Sequence, residues 1–265
     1  NRPEAYFRPI THFDLSLTRY LFEKNVEAAG FRRDAQPSSS ADWTERLRLL
    51  PALDTDSTGL TIAPGHPQQA SHRHFSHLMA IYPLGLLRFE RDSALMTRSV
   101  RHLERLGTSE WTGYSYAWMG CLEARLRDGH RARQYLRDFA RAFCLPNSFH
   151  VNGDQTQSGL SNLQYRPFTL EGNFAFAAGV QEMLLQSYED VIRVFPAVPA
   201  DWKDVSFENL RAEGAFLVSA RMEKGRVVRL TILPEKGGEL KIFNPKTARI
   251  ERYQTTKGQV IELIH

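Results

Sequence analysis

The stretch that decides the fold class is NFAFAAGVQEMLLQSYEDVIRVF, residues 173–195. Residues 173–186 are apolar on almost every side, which predicts a buried helix. After Asp190 the pattern changes to short β-branched runs separated by glycines, which predict strands. These runs are residues 191–195, 216–222, 227–233, 240–243 and 260–264. The sequence therefore predicts a mainly α region followed by a β region.

The part of the chain before this stretch has helical periodicity. Helices are predicted at residues 12–29, about 40–50, 73–82, 92–106, 112–127 and 129–142. Residues 54–71 and 145–166 lack periodicity and are predicted as long loops, which in compact proteins are usually functional. We expect two domains: a helical one over residues 1–190, and a small antiparallel β-sandwich over residues 191–265.

Composition narrows the class of protein. The 265 residues are 42% hydrophobic and 24% charged, with a net charge of +4, which is typical of a globular protein of one or two domains. Lys and Arg are scattered, which argues against a nucleic-acid partner. No run approaches the roughly 18 apolar residues of a membrane span. The chain starts at Asn1 without a signal peptide or an initiator Met, so we expect a fragment whose start says little about localisation.

The run HRHFSH, residues 72–77, concentrates three histidines and an arginine. Three interpretations stay open: a metal site, structurally hydrogen-bonded histidines, or Arg73 and His74 binding the hydroxyl groups of a substrate. Zinc sites of this kind usually need a cysteine or a fourth ligand, so we predict no metal.

A second run, RPFTLEGNF at residues 166–174, places Glu171 among apolar residues. If Phe168, Leu170 and Phe174 bury it, its pKa rises and the carboxyl is paired, protonated or catalytic. The alternative is an ordinary surface carboxylate. Tyr114 and Trp118, on a predicted helix, belong either to the core or to a surface that stacks on a sugar.

The order of several motifs resembles glycoside hydrolase family 95. These motifs are residues 50–51, 72–78, 82–83, 112–118, 125–129, 167–174, 182–187, 195–202 and 210–216. The resemblance implies an inverting enzyme that hydrolyses terminal α-L-fucosyl or α-L-galactosyl linkages of an oligosaccharide or polysaccharide, without a cofactor. It implies an (α/α)6 barrel that follows an N-terminal β-domain and precedes a smaller one. This chain would be the C-terminal part of the barrel plus the final β-domain, with the upstream part of the same polypeptide as its partner. The family also favours a periplasmic or secreted location.

The resemblance assigns roles to particular residues. Glu171 stands where the family has Asp in the motif Asp-Gly-Asn-Phe-Gly, and Ala175 replaces the final Gly. The resemblance makes Glu171 the catalytic carboxylate on the water-activating side, and we expect Arg73, His74, Asn173 and Trp118 to bind substrate. The family's general acid lies upstream of these motifs, and nothing in residues 1–70 matches it.

Two other functions remain open. Helical toroids also carry polysaccharide lyases and phosphorylases, so the fold alone does not decide the reaction. The exchange of Asp for Glu at position 171 is also compatible with a carbohydrate-binding relic that has lost its activity.

Overall fold

The computed structural model describes residues 10–31, 37–188 and 190–264. Two compact units divide the chain after Trp111. The helices of the described residues are α1 (His12–Phe31), α2 (Pro37–Leu49), α3 (Phe89–Leu106), α4 (Gly113–Arg125), α5 (Gly129–Ala142) and α6 (Glu171–Leu184). The strands are β1 (Thr55–Asp56), β2 (Gly59–Leu60), β3 (Leu185–Gln186), β4 (Arg193–Val194), β5 (Val205–Ala212), β6 (Phe216–Glu223), β7 (Arg226–Pro234), β8 (Gly237–Asn244), β9 (Arg249–Thr256) and β10 (Ile261–Ile264).

In the first unit, hydrogen bonds fix the segment between α2 and α3. The backbone N–H of Asp54 donates to Nε2 of His12 at the start of α1, over 2.9 Å. Ser99 of α3 accepts a 2.9 Å bond from the N–H of Leu60. The predicted loop of residues 54–71 therefore contains a short hairpin, β1–β2, and is tied to two helices.

In the second unit, α4, α5 and α6 pack together and lead into the β region. Arg125 of α4 donates two hydrogen bonds to Glu182 of α6, of 2.6 and 2.8 Å. The ring of Tyr188 lies 3.6 Å from this guanidinium group. Such bidentate, charge-assisted pairs are geometrically specific, so they set the register between the two helices.

The β region has two main sheets around one core. Strands β10, β7, β6 and β5 form an antiparallel sheet in that order, and β8 pairs with β9 as a separate hairpin. Val218, Leu230 and Ile232 from the first sheet share a hydrophobic cluster with Leu240 and Ile242 of β8. Each of these side chains is fully buried. The alternation of buried and exposed positions along β6 and β7 matches a sheet with one face on a core.

The predicted order of a helical part followed by an antiparallel β region is confirmed. The strands predicted at residues 216–222, 227–233, 240–243 and 260–264 correspond to β6, β7, β8 and β10. Strands β5 and β9 were not predicted, and the run at 191–195 forms only the two-residue strand β4. No helix of the described residues is both long and apolar enough to cross a membrane.

The prediction of a helix at residues 73–82 is wrong. Only Ser76–Ala80 is helical, and it is a 3-10 helix. The residue before a proline is disfavoured in the α conformation, so Pro83 prevents Tyr82 from extending a regular helix.

Candidate active site

Glu171 is the first residue of α6 and its side chain is exposed. A carboxylate at this position interacts favourably with the positive end of the helix dipole. Of the two alternatives for this segment, burial of Glu171 by its apolar neighbours does not occur: Phe174 is 66% exposed and Phe168 is 51% exposed. The apolar neighbours do not cover Glu171 because they point away from the core of the described chain.

The opposite end of α6 is buried, and this corrects the prediction of a helix buried on nearly all sides. Met183 is only 1% exposed, whereas Phe174 lies in solvent. The helix thus buries its C-terminal end beside α4 and presents its N-terminal turn, with Glu171, on the surface.

The N-terminal turn of α6 is tied to residues 148–152. Residues Val151 and Phe168 form an antiparallel bridge, and the N–H of Thr169 donates to the carbonyl oxygen of His150 over 3.2 Å. Asn173 accepts a 3.0 Å hydrogen bond from the N–H of His150. Its amide nitrogen also donates to the carbonyl oxygen of Ser148, over 2.8 Å. Asn173, predicted to bind substrate, thus has both ends of its side-chain amide bonded to this loop.

Two aromatic residues of α4 lie near Glu171. The rings of Tyr114 and Trp118 meet edge to face, with centroids 5.8 Å apart. Burial raises the pKa of Tyr114, and the nearby Cys121 and the charge of Glu171 raise it further. Trp118 is almost fully buried and packs against Tyr114. Tyr114 is half-buried and carries the more accessible ring.

The histidine run lies in the first unit and divides into buried and exposed members. Phe75 is fully buried against Trp111, with ring centroids 5.1 Å apart. His77 is also buried, whereas Arg73 and His74 are exposed. The exposed pair is the pair that the sequence predicts to bind substrate.

Short-range contacts order this run. Nδ1 of His72 accepts a 3.1 Å hydrogen bond from the backbone N–H of His74. His72 thus makes a structural hydrogen bond within the run, as one of the three interpretations expects. Partial burial lowers the pKa of His74, and the positive charge of Arg73 lowers it further. A neutral imidazole next to a guanidinium offers one cationic donor and one neutral group to a polar ligand.

The described part of the chain contains no group of three or more His, Cys, Asp or Glu side chains that could hold a metal ion. His72, His74 and His77 thus do not form such a group.

One central residue was not predicted. His150 is completely buried behind the N-terminal turn of α6. It lies in a polar loop whose local sequence has no periodicity. The only signal is indirect: Gly113 and Gly172, both in the motifs quoted above, lie against its ring.

Comparison with known proteins agrees with these motifs. Residues 3–184 match the glycosyl hydrolase family 95 catalytic domain, and residues 186–262 match the glycoside hydrolase family 95 C-terminal domain. The chain belongs to glycoside hydrolase family 95. The resemblance drawn from the sequence motifs is thereby confirmed.

A plant protein is similar to more than half of this chain. Alpha-L-fucosidase 2 of Arabidopsis thaliana is 33% identical over 172 residues, which are 63% of this chain and 20% of the plant protein. The chain therefore aligns with about a fifth of the length of this curated relative.

Proposed function

We propose that this chain is part of an inverting exo-glycosidase that removes a terminal α-L-fucosyl or α-L-galactosyl residue from an oligosaccharide or polysaccharide. The observation that carries the proposal is the catalytic-domain match over residues 3–184, which includes an exposed carboxylate at the start of α6. The similarity to a plant protein named alpha-L-fucosidase 2 supports the choice of sugar.

Glu171 acts on the water-activating side in this proposal. In an inverting glycosidase, one carboxylic acid protonates the leaving oxygen while a base activates water on the opposite face of the sugar. The negative charge of the carboxylate orients and polarises the water molecule. The general acid belongs to the upstream part of the polypeptide.

Arg73 and His74 bind the substrate in the same proposal, and Asn173 and Trp118 contribute to binding indirectly. The exposed Arg73 offers charge-assisted donors to sugar hydroxyls, which are stronger than neutral ones, and His74 offers a neutral partner. Because its amide is bonded to residues 148 and 150, Asn173 acts mainly by shaping the turn that carries Glu171. Trp118 acts through its contact with Tyr114.

The upstream part of the polypeptide is the proposed structural partner. Phe174 of α6 is 66% exposed, and Phe13, Leu17 and Leu21 follow one another at four-residue spacing along an exposed face of α1. On α1, a contiguous apolar face of this kind marks an interaction site. We propose that further helices cover these faces and complete an (α/α)6 barrel over the region up to residue 190, before the C-terminal β-domain.

The test uses the full-length polypeptide with 2′-fucosyllactose and proton NMR. Early accumulation of free β-L-fucose, before mutarotation, supports an inverting hydrolase. Early α-L-fucose contradicts inversion. Release that requires inorganic phosphate indicates a phosphorylase, and an unsaturated, ultraviolet-absorbing product from a uronic-acid polysaccharide indicates a lyase. Sugar binding without any turnover indicates a carbohydrate-binding relic.

A further inference from the structure

His150 is enclosed between the N-termini of two helices. Its ring is fully buried and packs against Phe139, with centroids 5.1 Å apart. A Cβ atom added to Gly113, at the start of α4, would lie 2.3 Å from Nε2 of the ring. A Cβ atom added to Gly172 of α6 would lie 2.3 Å from Nδ1. Any residue other than glycine at position 113 or 172 would therefore clash with the ring.

The hydrogen bonds of His150 all point towards the segment that carries Glu171. Nδ1 lies 2.7 Å from the carbonyl oxygen of Thr169 and 2.8 Å from its hydroxyl. The backbone N–H and carbonyl of His150 bond to Asn173 and Thr169. One residue thus contacts both sides of Glu171 in the sequence.

These contacts fix the tautomer of the ring. A carbonyl oxygen only accepts hydrogen bonds, so Nδ1 must carry the proton that is donated to Thr169. Burial lowers the pKa of His150, against the raising effects of the Thr169 contact and the Glu171 charge, so the ring is neutral. Nε2 is then an acceptor, and it has no hydrogen-bond partner among the described residues.

An unpaired buried acceptor costs about 1–3 kcal/mol. An apolar side chain would avoid this cost, but it would leave the carbonyl oxygen of Thr169 without its donor. What the histidine supplies, and an apolar residue would not, is the Nδ1–H donor to Thr169.

We propose that His150 is a positioning residue, which holds the Thr169–Gly172 turn and thereby fixes the carboxylate of Glu171 for catalysis. This inference rests on the proposed role of Glu171 as the water-activating carboxylate. His150 itself does not touch substrate, because its ring is fully buried between Gly113 and Gly172. It acts through geometry, and a misplacement of about 1 Å can lower a rate by about 10²-fold.

The test compares His150→Leu with His150→Asn in the full-length polypeptide, with 2′-fucosyllactose as the substrate. The two substituted side chains have the same branched shape and size, but only Asn places an N–H donor at the position of Nδ1. We expect His150→Leu to lower kcat by about 10- to 100-fold with a much smaller change in KM, because the loss falls on the transition state. We expect His150→Asn to recover most of that kcat. The melting temperature of each variant is measured separately, so that a loss of stability is not mistaken for a loss of kcat.

A double-mutant cycle with Glu171→Gln separates this inference from the proposed function. If His150 acts through Glu171, then His150→Leu has little further effect on kcat in the Glu171→Gln background, because the two changes remove one shared contribution. Equal loss of kcat in both backgrounds overturns the positioning role. An unchanged kcat for His150→Leu, beside a large loss for Glu171→Gln, also overturns it and leaves the proposed function intact.

Two further outcomes complete the test. If Glu171→Gln leaves kcat unchanged, the proposed role of Glu171 fails and the role of His150 fails with it. If His150→Leu does not fold, His150→Gln takes its place, because its donor reaches the position of Nε2 instead of Nδ1. We then expect His150→Gln to be slower than His150→Asn, and equal rates would contradict the inference.

Discussion

The β region and the helical part of the second unit differ in how far their apolar side chains are exposed. Leu230, Ile232 and Ile242 are fully buried in a core that the strands build among themselves. At the N-terminal turn of α6, by contrast, Phe168 and Phe174 are more than half exposed. The β region therefore has a hydrophobic core of its own. The helical part keeps an apolar, open surface at the place where the candidate catalytic carboxylate lies, and we interpret that surface as the incomplete half of an active site.

The largest expected effect concerns the proposed upstream part of the polypeptide, which would supply the general acid. The purified 265-residue chain should release fucose from 2′-fucosyllactose at least about 10²–10⁴-fold more slowly than the full-length polypeptide, because general acid catalysis contributes about that factor. Initial rates measured on both proteins test this. Circular dichroism controls for folding of the shorter chain. Comparable rates from a folded 265-residue chain would show that this chain contains a complete active site.

The next effect tests the self-contained core. Ile232→Ala should lower the free energy of unfolding of the β region by about 2–5 kcal/mol, because it removes buried methyl groups and leaves a cavity. Ile250→Ala is the matched control, since Ile250 lies half-exposed on β9, and should change stability by less than about 0.5 kcal/mol. Urea unfolding followed by circular dichroism measures both. Equal effects would mean that the core does not carry the stability of these strands.

A smaller effect comes from a buried histidine of the first unit. Burial lowers the pKa of His77 to about 3, with the nearby His12 and His102 adding to the shift. The unfolded chain takes up this proton near pH 6.5 and the folded chain does not. The free energy of unfolding therefore does not depend on this group above about pH 6.5. It decreases as the pH falls from about 6.5 towards 3, by up to about 1.4 kcal/mol per pH unit.

Urea unfolding of the first unit at pH 7, 6 and 5 measures this slope. His77→Gln should flatten it, and the exposed His66→Gln serves as the surface control. A slope that His77→Gln leaves unchanged would assign the acid sensitivity to other groups.

The smallest effect concerns the open surface itself. Phe174→Ala should change the stability of the 265-residue chain by no more than about 0.5 kcal/mol, because the ring lies in solvent. In the full-length polypeptide the same change should cost clearly more, since we propose that upstream helices bury this ring. The measurement is the melting temperature of the wild type and of Phe174→Ala, each in the 265-residue chain and in the full-length polypeptide. Equal shifts in the two backgrounds would remove the proposed cover over α6.

The sequence predicts the helical and β regions well because their signals are local. Apolar periodicity places α3 to α6, and glycine-bounded β-branched runs place β6, β7 and β8. Strand β5 was missed because its pairing is interrupted between Phe207 and Leu210, which breaks the alternation. Strand β9 was missed because its inward positions are Glu251, Tyr253 and Thr255, whereas the apolar Ile250 points to solvent.

The candidate site was harder to predict because it depends on long-range contacts. The apolar neighbours of Glu171 suggested burial, but whether an apolar side chain is buried depends on what packs over it, and that is not encoded in the neighbouring residues. The sequence around His150 gave no local signal. Its buried position depends on the space that Gly113 and Gly172 leave for the ring, and both glycines are distant in sequence. The sequence motifs did identify the family and singled out Glu171, which the structure places at the exposed N-terminus of α6.

The most direct test of the account is Glu171→Gln in the full-length polypeptide, with kcat and the melting temperature measured on the same preparation. The substitution keeps the shape of the side chain and removes its charge. We predict that kcat for 2′-fucosyllactose falls by about 10²-fold or more with a smaller change in KM, while the melting temperature stays close to that of the wild type. Glu171→Asp should retain more activity, because it keeps the carboxylate. A lowered melting temperature with an unchanged kcat would contradict the account and make Glu171 a structural residue.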